Sequence, residues 1–236
     1  MNRFFLIQYL IDKHKYSKYL EIGTQSGISF FPIKCKKKIA VDPDFRILFR
    51  KKIEWYFKNI YNLRNSFFEM TSDNFFLNNK LYLKNLGQLE IVLIDGLHTF
   101  QAALNDSINS LKYLNKNGTI ILHDCFPPHN AASIYASNAD EAILKGENLI
   151  GWNGEWCGDT WKAIVYLKIR YPDELNVFVL DCDYGLGIIQ LKKHQNLDFN
   201  LNKELFDEIN ELEYEDLIKK PQELIGLMDQ ENYKSL

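Results

Sequence analysis

LEIVLIDGLHTFQAALNDSINSLKYLNKNGTIILHDCFPP, residues 89–128, is the stretch whose reading decides the fold. Two runs of aliphatic and β-branched residues, IVLI and TIIL, flank a segment in which Ala103, Leu104, Ile108, Leu111 and Leu114 recur at helical spacing. The pattern predicts a buried strand ending at Asp95, a helix beginning near His98, a turn at Asn117-Gly118 and a second buried strand ending at His123-Asp124. Strands joined by a crossover helix are parallel neighbours. In an open α/β sheet a ligand sits beyond the carboxyl ends of the strands, which sends Asp95, His98, His123 and Asp124 to one cleft edge.

Toward the amino terminus, residues 1–17 read as a helix laid on the sheet and KYLEIG, residues 18–23, as a first buried strand. GTQSGISFF follows as a Gly-bearing turn running into a helix start, a corner where backbone and ligand can approach closely. The second strand, KKIAVD, ends at Asp42, 19 positions beyond Gly23, where an acid can accept from both ribose hydroxyls. Gly23 and Gly27 stand without the middle glycine of G-x-G-x-x-G, which argues against a pyrophosphate-bearing dinucleotide such as NAD. S-adenosylmethionine, with a ribose, an amine and a carboxylate but no pyrophosphate, suits the corner better. Glu21 either receives the cationic amino group through water or caps neighbouring backbone amides. Residues 45–63 read as a second helix, aromatic and basic, SFFEM as a third strand, and TSDNFF as a helix start with Ser72 as N-cap. Ser72 or Asp73 can bond an adenine amine at that strand end; simple capping explains both residues equally well.

Toward the carboxyl terminus, residues 125–158 show weak periodicity and leave directly from Asp124, as a lid or acceptor-binding segment would. Trp152 and Trp156 either form a flat apolar wall for a sugar or ring, or plug the base of the loop. Asp159 reads as the N-cap of a helix over TWKAIVYLKIR, ending before Pro172. NVFVLDCDYGLGIIQLKK reads as a hairpin, and the acidic, amphipathic remainder, broken at Pro221, as two helices or an interaction tail. The fold class is therefore α/β, a Rossmann-like, doubly wound and mostly parallel seven-stranded sheet closed by an antiparallel hairpin strand. Residues 1–200 form one domain containing the 125–158 lid, and 201–236 a helical tail that can serve as a homo-oligomer contact.

Composition narrows the function classes. At 236 residues with 46% hydrophobic and 25% charged side chains, the chain has material for a full core. A formal charge of -3 offers no basic surplus for nucleic acid, and the run Lys34, Lys36, Lys37, Lys38 reads as a solvated turn. Cys35, Cys125, Cys157 and Cys182 form no C-x-x-C pair, so neither a zinc knuckle nor a disulfide framework is indicated, and a reducing cytoplasm fits. No apolar run approaches the ~20 residues a bilayer span needs.

The series EIGTQSG, VDPD, TSDNFF, IDGLH, GTIILHD and DYGLGII resembles the class I S-adenosylmethionine-dependent methyltransferases, from about Tyr19 to Leu191. More narrowly, it is similar to small bacterial O-methyltransferases related to macrocin-type sugar O-methyltransferases, many of them found near polysaccharide or antibiotic genes. The resemblance implies Glu21, Gly23, Thr24 and Gly27 around the methionine part, Asp42 on the ribose, and Thr71, Ser72 and Asp73 near adenine, with Asp95 bordering the cofactor. It implies His98 as catalytic base beside Asp95, and Asp95, His123 and Asp124 around a divalent ion such as magnesium. His123 stands where those relatives more often carry an acid, and a hard ion prefers oxygen donors. His98, His123, Trp156 and Asp159 are then the candidate contacts to a sugar or glycan-type acceptor. Two further readings are a methyltransferase for a non-sugar small molecule and a non-catalytic module that keeps the cofactor pocket.

Overall fold

The two aliphatic runs form adjacent parallel strands, β4 (Leu89–Ile94) and β5 (Leu114–Leu122), crossed by helix α5 (Phe100–Leu111) in this computed structural model, which describes residues 1–192 and 197–236. Helix α5 buries Phe100, Ala103, Leu104, Ile108 and Leu111 against the sheet. Burial of each large side chain contributes roughly 1.5–3 kcal/mol. Its N-cap is Thr99, whose hydroxyl accepts the Ala102 amide at 3.3 Å, so His98 lies in the loop before the helix rather than in its first turn. Asn117-Gly118 falls inside β5 and makes no separate turn; the pairing register with β4 shifts there instead.

Ahead of this unit come α1 (Arg3–His14), β1 (Lys18–Ile22), β2 (Lys37–Asp42), α2 (Phe49–Lys58), a 3-10 turn over Ile60–Arg64, β3 (Ser66–Glu69), α3 (Ser72–Asn78) and α4 (Lys80–Leu86). After it come α6 (Ala139–Gly146), α7 (Trp161–Arg170), β6 (Leu175–Asp181), β7 (Leu186–Leu191), α8 (Lys203–Asn210), α9 (Tyr214–Lys219), α10 (Pro221–Leu224) and β8 (Leu227–Asp229). Together the strands make one eight-stranded sheet in the order β3-β2-β1-β4-β5-β7-β6-β8, with β7 antiparallel to both its neighbours. The doubly wound Rossmann-like reading holds. The sheet has an eighth strand beyond the expected seven: three residues within the segment expected to be a helical tail pair in parallel with β6. Lys193, at the end of the hairpin run, lies outside the described residues.

The helix expected after the glycine turn is absent; residues 24–36 are turns and irregular backbone. The reason is a set of distant donors. Lys38, fully buried in β2, donates Nζ to the carbonyls of Phe30 at 2.8 Å and Ile33 at 2.9 Å, and Asn59 and Asn62 take the Phe31 carbonyl at 2.9 and 3.1 Å. Carbonyls satisfied this way have no need of helical amides, and Phe30, Phe31 and Ile33 are buried by the same conformation. One sheet face is therefore covered by several helices, among them α3, α5 and α7, while the other is covered by α1 and this apolar loop.

Beyond the strand ends the ladder continues for one residue. The Gly23 amide donates to Val41, Asp95 to Ile22 and His123 to Ile94, each at 2.9 Å, which sets Gly23, Asp95 and His123 in a row along the carboxyl edge. Gly23 is held at φ +86° against the Asp95–Gly96 backbone, and a Cβ there would strike the Asp95 carbonyl.

Candidate active site

Four acids and histidines converge at the ends of β4 and β5. His98 Nε2 lies 3.5 Å from Asp95 Oδ1 and 3.3 Å from Asp124 Oδ2, while His123 Nδ1 lies 3.2 and 3.0 Å from the same two atoms. The loop position of His98 is fixed at its other nitrogen, where Nδ1 sits 2.7 Å from the Trp156 carbonyl. A carbonyl only accepts, so Nδ1 carries a proton and Nε2 is the atom that faces the carboxylates. Gly158, at φ +60°, passes against the His98 backbone and closes the loop from behind. Asp124 takes φ 60°, a left-handed conformation that Asp tolerates better than most side chains.

Charge at the site is dense. Burial opposes a charge on His98, but the Asp124 and Asp95 carboxylates and the Trp156 carbonyl outweigh it and raise the imidazole to about 9. Burial likewise pushes Asp95 up, and His123 and His98 override it to hold the carboxyl well below its usual range.

Two residues that pattern reading missed complete the cluster. Arg3, from the first turn of α1, sets Nη1 2.7 Å from His123 Nε2 and 3.2 Å from Asp183 Oδ2, with Nε 3.6 Å from Asp95 Oδ2. Its own backbone amide donates to Asp183 at 2.8 Å. Asp183 belongs to the turn between β6 and β7. Backbone bonds from Cys125 to Gly185 and from Phe126 to Tyr184 hold that turn at the site. Burial is again opposed, here by His123 and Arg3, and Asp183 is pulled down to about 2. A guanidinium can only donate, so His123 Nε2 must accept from Arg3, and the His123 proton sits on Nδ1 facing Asp95 and Asp124. The neighbouring carboxylates favour an imidazolium, but that form would set two donors 2.7 Å apart. The neutral Nδ1–H form is the one compatible with Arg3 in place. In that form the pull on the Asp95 and Asp183 carboxyls comes from the Arg3 guanidinium, with His98 and the His123 Nδ1–H adding to it at Asp95, rather than from a charge on His123.

At the glycine corner, Asp42 accepts the Gln25 amide at 2.7 Å and the Asp44 amide at 2.8 Å, and its own carbonyl receives the Met70 amide at 3.0 Å. Those bonds bring the first turn, the second strand and the Thr71–Asp73 loop together. Thr71, not Ser72, is the N-cap of α3, accepting the Asn74 amide at 3.3 Å. Ser72 faces Asp106 of α5 instead. Asp106 lies on the apolar side of an amphipathic pattern and was missed; burial lifts it to about 7 against the Ser72 hydroxyl. Thr24 is buried, with its hydroxyl 3.4 Å from the Glu21 carbonyl, and Gly27 lies at φ +76° against the Phe31 ring.

Glu21 is fully buried, its carboxyl held by the Tyr19 hydroxyl and by Ser29 at 2.6 Å. Burial raises it to about 7 from 4.5. The fold thus keeps a proton that the unfolded chain releases near 4.5. The resulting stability is present below 4.5 and is lost as pH rises through about 7. Denaturant unfolding at pH 5 and pH 8 checks this. The wild type should lose roughly 2.5 kcal/mol more than Glu21→Gln over that interval.

Trp156 and Asp159 part company. The Trp156 ring tilts against His98 at 5.1 Å, and its Nε1 donates to the Ile134 carbonyl at 2.9 Å. The Asp159 carboxylate accepts the Phe100 amide at 2.6 Å, so it caps α5 rather than α7, whose N-cap Thr160 accepts no α7 amide and instead donates its hydroxyl to the Cys157 carbonyl at 3.0 Å. Asp159 also lines a cleft of about 440 Å³ with Tyr135, Lys162 and Tyr214, and neither Asp95 nor His98 lines that cleft. Trp152 packs on Gly146 of α6, and Trp161 is core.

Among the described residues, Asp95, His98 and Asp124 form the group whose ligand atoms all lie within 4.8 Å of one another. His123 is turned toward Arg3. No helix among them is long and apolar enough to cross a membrane.

Residues 20–125 match the family model described as a methyltransferase domain. No curated protein sequence matches the chain. Among solved structures, the fold resembles the S-adenosylhomocysteine-bound methyltransferase PaMTH1 of Podospora anserina, at 19% identity and a TM-score of 0.53 over 80% of this chain and 77% of that one. It also resembles an O-methyltransferase of Bacillus cereus in complex with S-adenosylhomocysteine, at 12% identity and TM-score 0.53 over 80% of each chain. A third likeness is to the O-methyltransferase TomG of Streptomyces achromogenes, involved in tomaymycin synthesis and bound to S-adenosylmethionine. Its identity is 9% and its TM-score 0.53, over 81% of this chain and 80% of that one.

Proposed function

We propose that the chain is an S-adenosylmethionine-dependent methyltransferase that moves a methyl group from S-adenosylmethionine to a hydroxyl of a sugar or glycan-type acceptor, with His98 as base. The methyltransferase-domain match over residues 20–125 and the likeness of the fold to cofactor-bound O-methyltransferases support this reading. The observation that carries this reading is His98 Nε2 aimed at Asp95 and Asp124 while Nδ1 is tied to the Trp156 carbonyl. When bound, the donor supplies a methyl group on a positively charged sulfur. The protein must hold an acceptor oxygen in line and take its proton.

A sugar hydroxyl is a very weak acid, so its proton needs a fixed acceptor. The Trp156 carbonyl keeps the imidazole from rotating. Because Asp124 and Asp95 favour the imidazolium and raise the group to about 9, only the neutral fraction serves as base, so transfer should climb with pH until about 9. Asp42 and the Thr71–Asp73 loop are the ribose and adenine candidates. Glu21 organises the Thr24–Gly27 turn from beneath, because both its oxygens are already engaged by Tyr19 and Ser29. Trp156 offers the half-buried ring nearest the base for an acceptor to lie against.

The donor set also fits a divalent ion. Two carboxylates and one imidazole suit a borderline ion such as manganese or cobalt better than magnesium, which prefers oxygen throughout. Asp95, Asp124 and His98 would hold it, since His123 Nδ1 carries a proton while Arg3 donates to Nε2. Such an ion would lower the acceptor hydroxyl's pKa, and His98 would then be a ligand rather than the base. Dialysis against a chelator separates the two roles. With His98 as base, transfer of labelled methyl is unchanged after dialysis. Loss of transfer that manganese restores replaces the base with the metal site. The proposal as a whole is tested by labelled methyl transfer to a panel of glycans, phenols and amines. Transfer only to phenols or amines overturns the acceptor class, and no heat-stabilisation by S-adenosylhomocysteine overturns the cofactor.

A further inference from the structure

Helix α2 contributes no residue to the candidate active site. It buries no residue, although it is rich in aromatic and aliphatic side chains. Phe49, Ile53 and Phe57 recur at every fourth position, so they form one stripe along the helix. Phe57 is 89% and Phe49 78% exposed, and Ile60 in the following 3-10 turn extends the row at 73%. Leu48 and Leu63 add exposed apolar surface at its two ends. An apolar patch of this kind marks a surface that something covers.

The charge around the stripe says what. Residues 46–64 carry Arg46, Arg50, Lys51, Lys52, Lys58 and Arg64 against the single acid Glu54, in a chain whose formal charge is -3. Trp55 faces inward, stacked on Phe31, and Lys52 lies over the inward-facing Phe67, so the helix is anchored by its back and presents its front. Arg50 is exposed beside the stripe, and the exposed Lys51 and Lys58, both paired with Glu54, lie farther round the helix on the solvent side. An amphipathic helix with an apolar stripe and a basic flank is built to lie in the interface of a bilayer, with aromatics among the acyl chains and cations among anionic headgroups. A second copy of the chain is the poorer occupant. A two-fold contact through this face would set the same basic flanks beside each other.

We propose that α2 and the 3-10 turn after it dock the protein on an anionic phospholipid surface, without crossing it. The helix begins seven residues after Asp42 at the carboxyl edge of the sheet, so docking holds that edge near the bilayer.

Flotation of the whole protein with vesicles tests this. The wild type should float with mixed phosphatidylglycerol and phosphatidylcholine, stay down with phosphatidylcholine alone, and release at high salt. Phe49→Ser/Phe57→Ser should weaken partition about tenfold or more. Arg50→Glu/Lys51→Glu should abolish the preference for phosphatidylglycerol. Both pairs are exposed, and an unchanged circular dichroism melt shows that the fold survives. Failure of the wild type to float, equal flotation of the Phe49→Ser/Phe57→Ser variant, or a wild-type dimer in light scattering that this variant disperses without vesicle binding would overturn the proposal.

Discussion

Replacing His98 with alanine should lower kcat/KM for methyl transfer by roughly 10²–10⁴, the usual contribution of a positioned general base. The loss should fall on kcat, because His98 takes the proton only as the acceptor oxygen becomes nucleophilic. Affinity for S-adenosylhomocysteine should stay near the wild-type value, since the glycine corner and Asp42 lie on other strands. His98→Gln separates base from scaffold: it can keep a hydrogen bond to the Trp156 carbonyl yet cannot accept a proton at catalytic pH. If His98→Gln retains turnover while His98→Ala does not, the side chain positions the Trp156 loop and another group is the base. Asp124→Asn should cost less than His98→Ala, because it removes the charge that stabilises the imidazolium and leaves the base in place.

What the sequence made legible and what it hid divides along contact distance. The runs IVLI and TIIL, with the helical spacing between them, are local patterns, and they yield β4, α5, β5 and the meeting of Asp95, His98, His123 and Asp124. GTQSGISFF is just as suggestive of a helix, yet no helix follows. Lys38, Asn59 and Asn62, up to 31 residues away, satisfy its carbonyls first. Asp159 illustrates the same competition. It stands one residue before the N-cap of α7, where capping is the natural reading, but its carboxylate serves the Phe100 amide 59 residues back. Arg3 and Asp183 were invisible for the same reason, being 180 residues apart and joined only by the meeting of α1 with the β6–β7 turn. A signal existed in the second case: the acid of DYGLG sits where an exposed turn would suffice, in a hairpin feeding the sheet edge that bears the site.

Arg3→Met should destabilise the fold by roughly 3 kcal/mol, read from denaturant unfolding at neutral pH. The guanidinium is mostly buried, its side chain 23% exposed, and it faces Asp95, Asp183 and His123 at once. Methionine keeps the apolar stem and removes the positive charge, so two low-pKa carboxylates lose their cation in a site that water reaches poorly. The cost is that of leaving charges unpaired, which exceeds what the pairs contribute when intact. Losing Arg3 also frees His123 Nε2 to carry a proton, so His123 becomes an imidazolium beside Asp95 and Asp124 and recovers part of the loss. That compensation makes the outcome specific. Asp183→Asn in the Arg3→Met background should cost less than Asp183→Asn alone, with a coupling of about 1 kcal/mol or more between the two positions. His123 proton chemical shifts across pH should report the imidazolium in Arg3→Met and the neutral Nδ1–H form in the wild type. Additive destabilisation together with an unchanged His123 titration would mean that Arg3 fixes α1 through packing and leaves the charge of the site alone.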